Sequence, residues 1–334
     1  MASKWVRTKF LGQGSYGSVF RAECASPSLG YAYYLPKTVA IKSAPETCSW
    51  SLRMEKAILH ELRGCKEIVG CFADEDFKTT SADGNKCYNL VLEYADRGTL
   101  EQLIKSKGGW IPEYEASSYA LMLLRGLSWV HGQGYVHCDM KPANVLVFNV
   151  PSDECKGVVK YNLKIADFGL AKKRGEKSSG AGQEYKYRGT LPYNSPESVV
   201  FGVHEAPMDI WSVGCIVLEM LLGEGGLWKN YLDEDAQSLA EMIANYEDDR
   251  LKYLLPELDN LSVFAKDFVK RCLTKRVEDR WTADELVTHP FITHNQSLLK
   301  KFEAQLAYKK LMQFRANTPF NPSFGPSQVS LGVY

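Results

Sequence analysis

The stretch YVHCDMKPANVLVF, residues 135–148, decides how this chain is interpreted. Three polar residues in it, Asp139, Lys141 and Asn144, stand between apolar runs that are typical of a protein core. Polar groups in such surroundings are expected to have partners, because burying them unpaired is unfavourable. The stretch therefore predicts a site at which a carboxylate, an ammonium group and an amide act together.

Length and composition predict a globular chain of two lobes or domains. The chain has 334 residues, of which 45% are hydrophobic and 24% are charged, as in ordinary globular proteins. Basic and acidic residues number 40 each, so the net charge is zero and nothing indicates binding to nucleic acid or to an anionic membrane. No uninterrupted apolar run of the roughly 18 residues that a membrane span needs occurs. We expect neither a nucleic-acid partner nor a membrane span.

Nine cysteines are scattered along the chain, and no C-x-x-C pair occurs among them. An odd number of cysteines, several of them inside apolar runs, predicts free thiols in a reducing compartment. The N-terminal stretch MASKWVRTKF also lacks the apolar region of a signal peptide. We therefore expect the protein in the cytoplasm, the nucleus or both. The sequence does not indicate which oligomeric state it adopts.

The hydrophobic pattern changes character after the first ninety-odd residues. Before the change, β-type runs such as KTVAIKSA and CYNLVLEYA surround one helical pattern, WSLRMEKAILHELRGC. After it, helical patterns dominate, and APMDIWSVGCIVLEMLLG is apolar almost all round, as a buried helix would be. We expect an α+β protein with a strand-rich unit at 1–95, a helical unit at 96–293 and a tail at 294–334.

Two segments of the second half have their own interpretation. Residues 174–189 are rich in glycine and serine and predict a long flexible loop, of the kind that is often functional. The tail predicts a short helix followed by a proline-containing extended or disordered segment. One face of that helix carries Leu298, Phe302 and Leu306. We expect this face to pack on the helical unit or on a partner, and a frayed terminal helix is the alternative.

The run GQGSYG, residues 12–17, fits the pattern G-x-G-x-x-G, which alone is weak evidence. A dinucleotide-binding fold would need a helix after it, but the following SVFRAE alternates like a strand. No G-x-x-x-x-G-K-[ST] pattern occurs, so the P-loop nucleotide site is excluded too. The glycines predict a turn between strands that lets backbone N–H groups approach phosphate, and a plain hairpin turn is the alternative.

Three further elements complete a constellation. Lys42 in VAIK lies inside a β-type run, where its ammonium group needs an anion, and Glu55 on the following helix is a suitable partner. Asp167 in KIADFGLA follows an apolar strand, and GTLPYNSPE occupies residues 189–197. Taken singly, the residues have ordinary explanations: Lys42 as an edge-strand lysine, Asp167 as a turn residue and Asn144 as a loop cap. For the whole set of motifs in this order, the ordinary explanations are poor.

This set of motifs resembles that of the eukaryotic protein kinase family over residues 5 to about 293. The resemblance implies the two-lobed protein kinase fold, with ATP and Mg²⁺ bound in the cleft between the lobes. The presence of Lys141 two residues after Asp139, together with GTLPYNSPE, resembles the serine/threonine type. We therefore expect an ATP-dependent phosphotransferase that acts on a protein substrate.

The resemblance also implies roles, because phosphoryl transfer depends on positioning and charge neutralisation. Lys42, steadied by Glu55, would hold the α- and β-phosphates. Asn144 and Asp167 would bind Mg²⁺. The remaining catalytic roles fall to Asp139, which would orient the substrate hydroxyl, to Lys141, which would stabilise charge, and to Thr190, which would support the catalytic loop. Further positions match bracing residues of the family: Glu197, Arg280 and Asp209.

The ATP contacts implied by the resemblance come from the Gly-rich turn, the sheet and the segment LVLEYA between the lobes. The turn contributes Leu11, Gly12, Gln13, Gly14, Ser15, Tyr16 and Gly17. The side chains expected around adenine are those of Val19, Ala40, Leu146 and the gatekeeper Leu92. Backbone groups of Glu93 and Ala95 would bond to the adenine edge.

One position departs from the family pattern, since Cys138 stands where arginine is usual. That arginine commonly pairs with a phosphorylated activation loop, so we expect substantial activity without phosphorylation at Ser178 or Ser179. A redox role for Cys138 is the alternative. Against it, the anionic Asp139 should raise the pKa of the neighbouring thiol and make it less reactive.

Three stretches, WVRTKFLGQGSYGSVFRA, HCDMKPANVLV and GTLPYNSPESV, together resemble plant kinases of the mitogen-activated protein (MAP) kinase kinase kinase type. That group includes members with cysteine before the catalytic aspartate. The resemblance implies a MAP kinase kinase as substrate, in a signalling cascade. The alternatives are a serine/threonine kinase of another pathway and a catalytically weak scaffold that acts through its tail.

Overall fold

The two-lobed α+β fold predicted from the sequence is confirmed by the computed structural model. The structure describes residues 5–14, 17–24, 36–72, 77–80, 84–150, 161–176, 188–231, 233–251 and 259–317. Ser15, Tyr16, most of the predicted loop at 174–189 and the proline-containing end of the tail lie outside the described residues.

The small lobe is built on a five-stranded antiparallel sheet. Its strands are β1 (Trp5–Gly14), β2 (Gly17–Cys24), β3 (Thr38–Pro45), β4 (Phe77–Thr80) and β5 (Lys86–Glu93), in the order β1-β2-β3-β5-β4. Strand β2 follows β1 directly, so the Gly-rich run does join two strands, as predicted. This arrangement excludes a dinucleotide-binding turn, which would lead into a helix.

Helix α1 (Trp50–Glu61) is the helix of the small lobe that the sequence predicts. Its apolar residues recur at helical spacing and are buried, as Leu52, Ile58 and Leu59 show. The helix packs beside β3 and β5 and against the short helical turn Phe168–Leu170 of the other lobe. Helix α1 therefore lies where one of its charged side chains can reach both the sheet and the other lobe.

The large lobe is mainly helical. Its helices are α2 (Leu100–Ser106), α3 (Glu113–Gly132), α4 (Pro196–Phe201), α5 (Ala206–Leu222), α6 (Ala236–Ala244), α7 (Val263–Cys272), α8 (Ala283–Val287) and α9 (Pro290–Asn317). Helix α5 is buried almost all round, as its apolar pattern predicts, and Trp211 at its centre is fully buried. The main apolar cluster runs from α5 through α3 to the underside of the sheet.

Two short antiparallel strand pairs carry the site residues of the large lobe. Strand β6 (Tyr135–Val136) pairs with β9 (Lys172–Lys173), and β7 (Val145–Asn149) pairs with β8 (Tyr161–Ile165). The polar residues of the opening stretch lie between β6 and β7, and Asp167 lies just after β8. Pairing of these strands therefore brings segments that are distant in sequence to one edge of the cleft.

Helix α9 differs from its prediction in its buried face. It begins at Pro290, and its Gln296 Nε2 donates to Ser118 Oγ of α3 at 2.9 Å. Leu298 is 46% exposed, whereas Leu299 is 7% exposed, so the buried face passes through Leu299 and not through the predicted Leu298. The side chains of Phe302 and Leu306 lie outside the described residues.

Two negative expectations can be compared with the described part of the chain. None of its helices combines the length and the apolar character required to cross a membrane. Its eight cysteines are free thiols, and the ninth, Cys155, lies outside the described residues.

Candidate active site

The charged centre of the cleft is built from three elements that meet at Lys42. Strand β3 directs Lys42 toward α1, and its Nζ lies 2.8 Å from Glu55 Oε2. The same Nζ lies 2.8 Å from Asp167 Oδ1, at the start of the turn after β8. The sequence pointed to Glu55 as a partner, but it did not reveal that Asp167 contacts Lys42 as well. Here one ammonium group joins the sheet, the helix and the large lobe.

Burial and pairing compete in setting the pKa values of these groups. Burial lowers the pKa of Lys42, but the carboxylates of Glu55 and Asp167 outweigh it, and the pKa lies above its usual value. Burial raises the pKa of Glu55, and Lys42 offsets only part of that effect. Burial also opposes ionisation of Asp167, yet Lys42 holds its pKa below the usual value. Asp167 is therefore ionised at neutral pH and can serve as an anionic ligand.

The opening stretch forms a compact polar cluster around Asp139. Its Oδ1 accepts a hydrogen bond from Thr190 Oγ1 at 2.7 Å, and its Oδ2 accepts one from Asn144 Nδ2 at 2.9 Å. Lys141 Nζ lies 3.1 Å from Asp139 Oδ2 and donates to Thr190 Oγ1 at 2.7 Å. The structure thus brings together the residues that the sequence analysis assigned to the transfer step.

Asn144 and Asp167 lie at the same end of the β7–β8 pair. The backbone of Asn144 accepts the Ala166 N–H at 2.9 Å, which places Asp167 one residue further on. The amide nitrogen of Asn144 donates to Asp139, so its carbonyl oxygen is the atom available to a cation. Within the described residues, no group of three or more His, Cys, Asp or Glu side chains could hold a metal ion. The donor set fits Mg²⁺, which is usually held by one or two protein ligands plus substrate phosphates.

A single carboxylate of helix α5 fixes the catalytic loop. Asp209 accepts the backbone N–H groups of His137 and Cys138, each at 2.9 Å. His131 Nε2 at the end of α3 lies 2.9 Å from Asp209 Oδ2. The position of Asp209 agrees with the bracing role expected of it, but sequence reasoning missed His131 and His137. Two histidines that flank a buried strand next to a catalytic motif were the available signal.

The second expected bracing pair is a buried bidentate ion pair. Arg280 Nη1 and Nη2 lie 2.5 and 3.0 Å from the two carboxylate oxygens of Glu197. The guanidinium group also lies over the Trp211 ring, 5.2 Å from its centroid. Two parallel hydrogen bonds make such pairs geometrically specific. The pair anchors the chain that follows Thr190.

In the Gly-rich run, the structural demand for glycine is strongest at Gly17. Its φ is +147°, and a Cβ there would lie 2.2 Å from the Ser43 carbonyl oxygen of β3. At Gly12 a Cβ would meet nothing within 4 Å, and at Gly14 its nearest atom would be 3.7 Å away. Space therefore remains beside Gly12 and Gly14 for a bound group. Leu11, just before the run, and Gln13 within it are exposed.

The side chains expected around adenine lie on both sides of the cleft. Ala40 of β3 and Leu92 of β5 are cross-strand neighbours and are buried. Val19 of β2 and Leu146 of β7 are partly buried against the same apolar cluster. Apolar side chains of both lobes thus meet in one cluster.

Glu93, at the end of β5, has an additional structural role that the sequence analysis missed. Its carboxylate oxygens lie 2.8 and 2.7 Å from Lys164 Nζ of β8, and one of them accepts the Gly70 N–H at 3.1 Å. Its backbone N–H donates to the Gly70 carbonyl at 2.8 Å, and the Ala95 carbonyl accepts the Gly98 N–H at 3.4 Å. These bonds tie the segment between the lobes to both of them.

Cys138 occupies a strained and enclosed position. Its φ is +65°, its side chain is buried, and it packs against Val136 and against Met208 of α5. Burial raises the pKa of its thiol above the usual value, and the charge of Asp209 adds to the effect. The sequence predicts this raised pKa, but its causes are burial and Asp209, and not the neighbouring Asp139.

Comparison with known proteins agrees with this geometry. The family model of the protein kinase domain matches residues 5–292. The chain is 34% identical over 291 residues to mitogen-activated protein kinase kinase kinase 20 of Arabidopsis thaliana, covering 87% of this chain and 78% of that protein. It is 33% identical to mitogen-activated protein kinase kinase kinase 18 and 32% identical to mitogen-activated protein kinase kinase kinase 17 of the same plant. These alignments cover 87% of this chain in both cases, and 78% and 70% of the two relatives.

The matched span contains both lobes and every site residue described above. Membership of this family implies ATP and a divalent metal ion, and the donor set at Asn144 and Asp167 is compatible with both. The chain belongs to the protein kinase family, as an enzyme of the serine/threonine type.

Proposed function

We propose that this protein is a MAP kinase kinase kinase, which transfers the γ-phosphoryl group of ATP to serine or threonine residues of a MAP kinase kinase. The observation that carries the proposal is the cluster of Asp139, Lys141 and Thr190, which joins the catalytic loop to the segment that a protein substrate would face. The names of the similar plant proteins support the substrate class.

In the proposed reaction, Lys42 binds the α- and β-phosphates of ATP. Its ammonium group is already held by Glu55 and Asp167, so little reorganisation accompanies binding. Asn144 and Asp167 are the residues proposed to hold the metal ion. Bound Mg²⁺ would neutralise the negative charge of the phosphate oxygens.

Asp139 orients the substrate hydroxyl and accepts its proton on the carboxylate. The hydrogen bonds from Thr190 and Asn144 hold both carboxylate oxygens in place before the substrate arrives. Lys141 stabilises the charge that develops on the transferred phosphoryl oxygens. A carboxylate with fixed geometry and an adjacent ammonium group therefore supply positioning and charge stabilisation at one point.

Adenine is proposed to lie between Val19 and Ala40 on one side and Leu146 on the other. The Glu93 N–H and the Ala95 carbonyl bond within the chain, so we assign the adenine edge to the Glu93 carbonyl and the Ala95 N–H. Leu92 would close the back of the pocket as gatekeeper.

We also propose that the enzyme works in the cytoplasm, the nucleus or both. The free thiols of the described cysteines support a reducing compartment. Imaging of a fluorescent fusion in plant cells tests this location, and retention in the secretory pathway would contradict it.

The substrate class is tested with radiolabelled ATP and purified protein. The panel contains several MAP kinase kinases, each with a matched version whose activation-segment serines and threonines are alanine, and one generic protein substrate. We expect strong labelling of at least one MAP kinase kinase and loss of that labelling in its alanine version. Labelling of the generic substrate alone would contradict the proposed substrate, and no labelling at all would favour a scaffold.

A further inference from the structure

Lys172 of strand β9 is a buried cation with three acceptors. Its side chain is 4% exposed. Its Nζ donates to the carbonyl oxygens of Lys173 and Glu176 at 3.2 and 2.9 Å, and to Glu205 Oε1 at 3.1 Å. Lys173 ends β9 and Glu176 lies three residues further on, so the ammonium group spans the turn between them. Glu205 is the contact that supplies negative charge.

Lys172 and Glu205 lie at the two ends of the segment that carries Thr190 of the transfer site, and their side chains meet. It is the residue immediately before helix α5, in extended conformation, and its side chain forms no capping hydrogen bond to that helix. Instead, its Oε1 accepts both the Lys172 ammonium at 3.1 Å and the Gly175 N–H at 3.0 Å. One carboxylate oxygen thus connects the first turn after β9 to the base of α5.

The groups around the contact between Lys172 and Glu205 indicate why a carboxylate within the chain is needed there. Position 138 contributes a buried thiol packed on Met208, and not a cation that could bind a phosphorylated side chain. Burial lowers the pKa of His204, and the nearby charges of Arg188 and Lys172 add to the effect, so His204 is neutral at neutral pH. Glu205 is the carboxylate in direct contact with Lys172, and Arg188 adds a second cation near His204.

The position of Lys172 is coupled to the catalytic loop through the β6–β9 pair. Lys172 is the register partner of Val136, two residues before Cys138 and three before Asp139. The turn after β9 is also tied to the residue before β6, because the Arg174 N–H donates to the Gly134 carbonyl at 2.8 Å. A shift of β9 would therefore be transmitted to β6 and to the orientation of the Asp139 carboxylate.

We propose that Glu205 is a positioning residue, an anion built into the chain that holds the first turn of the activation segment in its active arrangement without a phosphorylated side chain. The inference deepens the proposed function, on which it rests, by naming what holds the same transfer site in place. Glu205 acts through Lys172 and the Gly175 N–H, and it makes no contact with substrate or ATP.

The test compares Glu205→Gln, Glu205→Asp and the matched control Glu278→Gln. Glu278 is 64% exposed and pairs with Arg276 at the surface, so its neutralisation should leave activity unchanged. Enzyme is first treated with phosphatase, and kcat is normalised to the concentration of ATP-binding sites. A generic protein substrate is used, so that failure of the proposed substrate class would not affect this measurement.

We expect Glu205→Gln to lower kcat roughly tenfold while KM for ATP stays within about twofold, because one charge-assisted contact is lost outside the nucleotide site. Glu205→Asp should restore most of the activity. Hydrogen exchange at residues 172–176 should be faster in Glu205→Gln than in the wild type. A merely structural role would reduce the number of ATP-binding sites and leave kcat per site unchanged.

A double-mutant cycle with Lys172→Met completes the test. If Glu205 acts through Lys172, the double variant loses no more kcat than the worse single variant. Fully additive losses, or a kcat of Glu205→Gln equal to that of Glu278→Gln, would overturn the inference. Wild-type enzyme that labels the generic substrate but no MAP kinase kinase would refute only the proposed substrate class.

Discussion

Lys42 and Glu55 form a buried ion pair that joins the sheet of the small lobe to helix α1, with 2.8 Å between Nζ and Oε2. Both side chains are buried, so the pair is stable only if each charge is compensated. Asp167 adds a second carboxylate to the same ammonium group. Lys42 is therefore held from both lobes.

Replacing Glu55 by glutamine tests the value of this pair for catalysis. The variant keeps the shape but removes the charge, so Lys42 should move toward Asp167 and away from the phosphate-binding position. We expect kcat/KM for ATP to fall by about tenfold or more, since breaking a buried pair is strongly unfavourable. The matched control is Glu23→Gln, which removes an exposed pair with Arg21 and should leave steady-state kinetics unchanged.

Replacing Asp139 by asparagine separates transfer from nucleotide binding. Asparagine retains the size of the side chain but cannot accept the substrate proton. We expect kcat to fall by about a hundredfold or more, with ATP affinity measured by calorimetry close to that of the wild type. A variant that kept wild-type turnover would show that Asp139 is not the acceptor.

The pH dependence of stability should report the ionised state of Asp167. Lys42 lowers the pKa of Asp167 below its ordinary value of 3.8, so ionised Asp167 stabilises the fold above that pH. This contribution is lost as pH falls through the lowered pKa. We therefore expect the difference in Tm between wild type and Asp167→Asn to shrink as pH is lowered from neutrality toward about pH 3. A difference that stayed constant over this range would contradict the assignment.

Adjacent leucines in helix α9 provide a matched pair for stability. Leu299 is buried and Leu298 is about half exposed. Denaturant unfolding should show that Leu299→Ala lowers the free energy of unfolding by about 2 kcal/mol or more, as is usual for buried leucine. Leu298→Ala should change it by less than about 0.5 kcal/mol. Equal effects of the two changes would mean that the helix buries a different face in solution.

Thiol labelling should distinguish Cys138 from an accessible cysteine. Burial raises the pKa of Cys138, and Asp209 adds to the effect, so little thiolate forms. Cys48 is exposed. With an alkylating reagent and mass spectrometry of the folded enzyme, we expect rapid modification of Cys48 and protection of Cys138. Comparable labelling rates at both positions would revive the redox role.

The sequence revealed the residues whose types and spacing are dictated by phosphoryl transfer, and the structure assembles them. Lys42, Glu55 and Asp139 could be predicted because each lies in a short local pattern. Glu205 could not, because its role arises from a contact with a turn about 30 residues earlier and has no periodicity. Short-range patterns report local structure, whereas bridging contacts depend on how loops meet in three dimensions.

The buried face of helix α9 shows a different limit. The apolar spacing of the tail suggested a face through Leu298, as if the helix began within the tail. The observed helix starts at Pro290 and its direction is set by packing on α3, which turns Leu299 inward. Consecutive helical residues are about 100° apart around the axis, so an error of one residue is enough to turn a buried position toward solvent.

Asp209 has a consequence for how the enzyme can open and close. Its carboxylate holds the backbone of His137 and Cys138. The position of the adjacent Asp139 is therefore set by helix α5, deep in the large lobe. Lys42, in contrast, belongs to the sheet of the small lobe. A rotation of one lobe against the other would therefore displace Lys42 while the cluster around Asp139 kept its internal alignment. In the proposed reaction, lobe motion would then release nucleotide without disturbing the cluster around Asp139 that binds the next substrate hydroxyl.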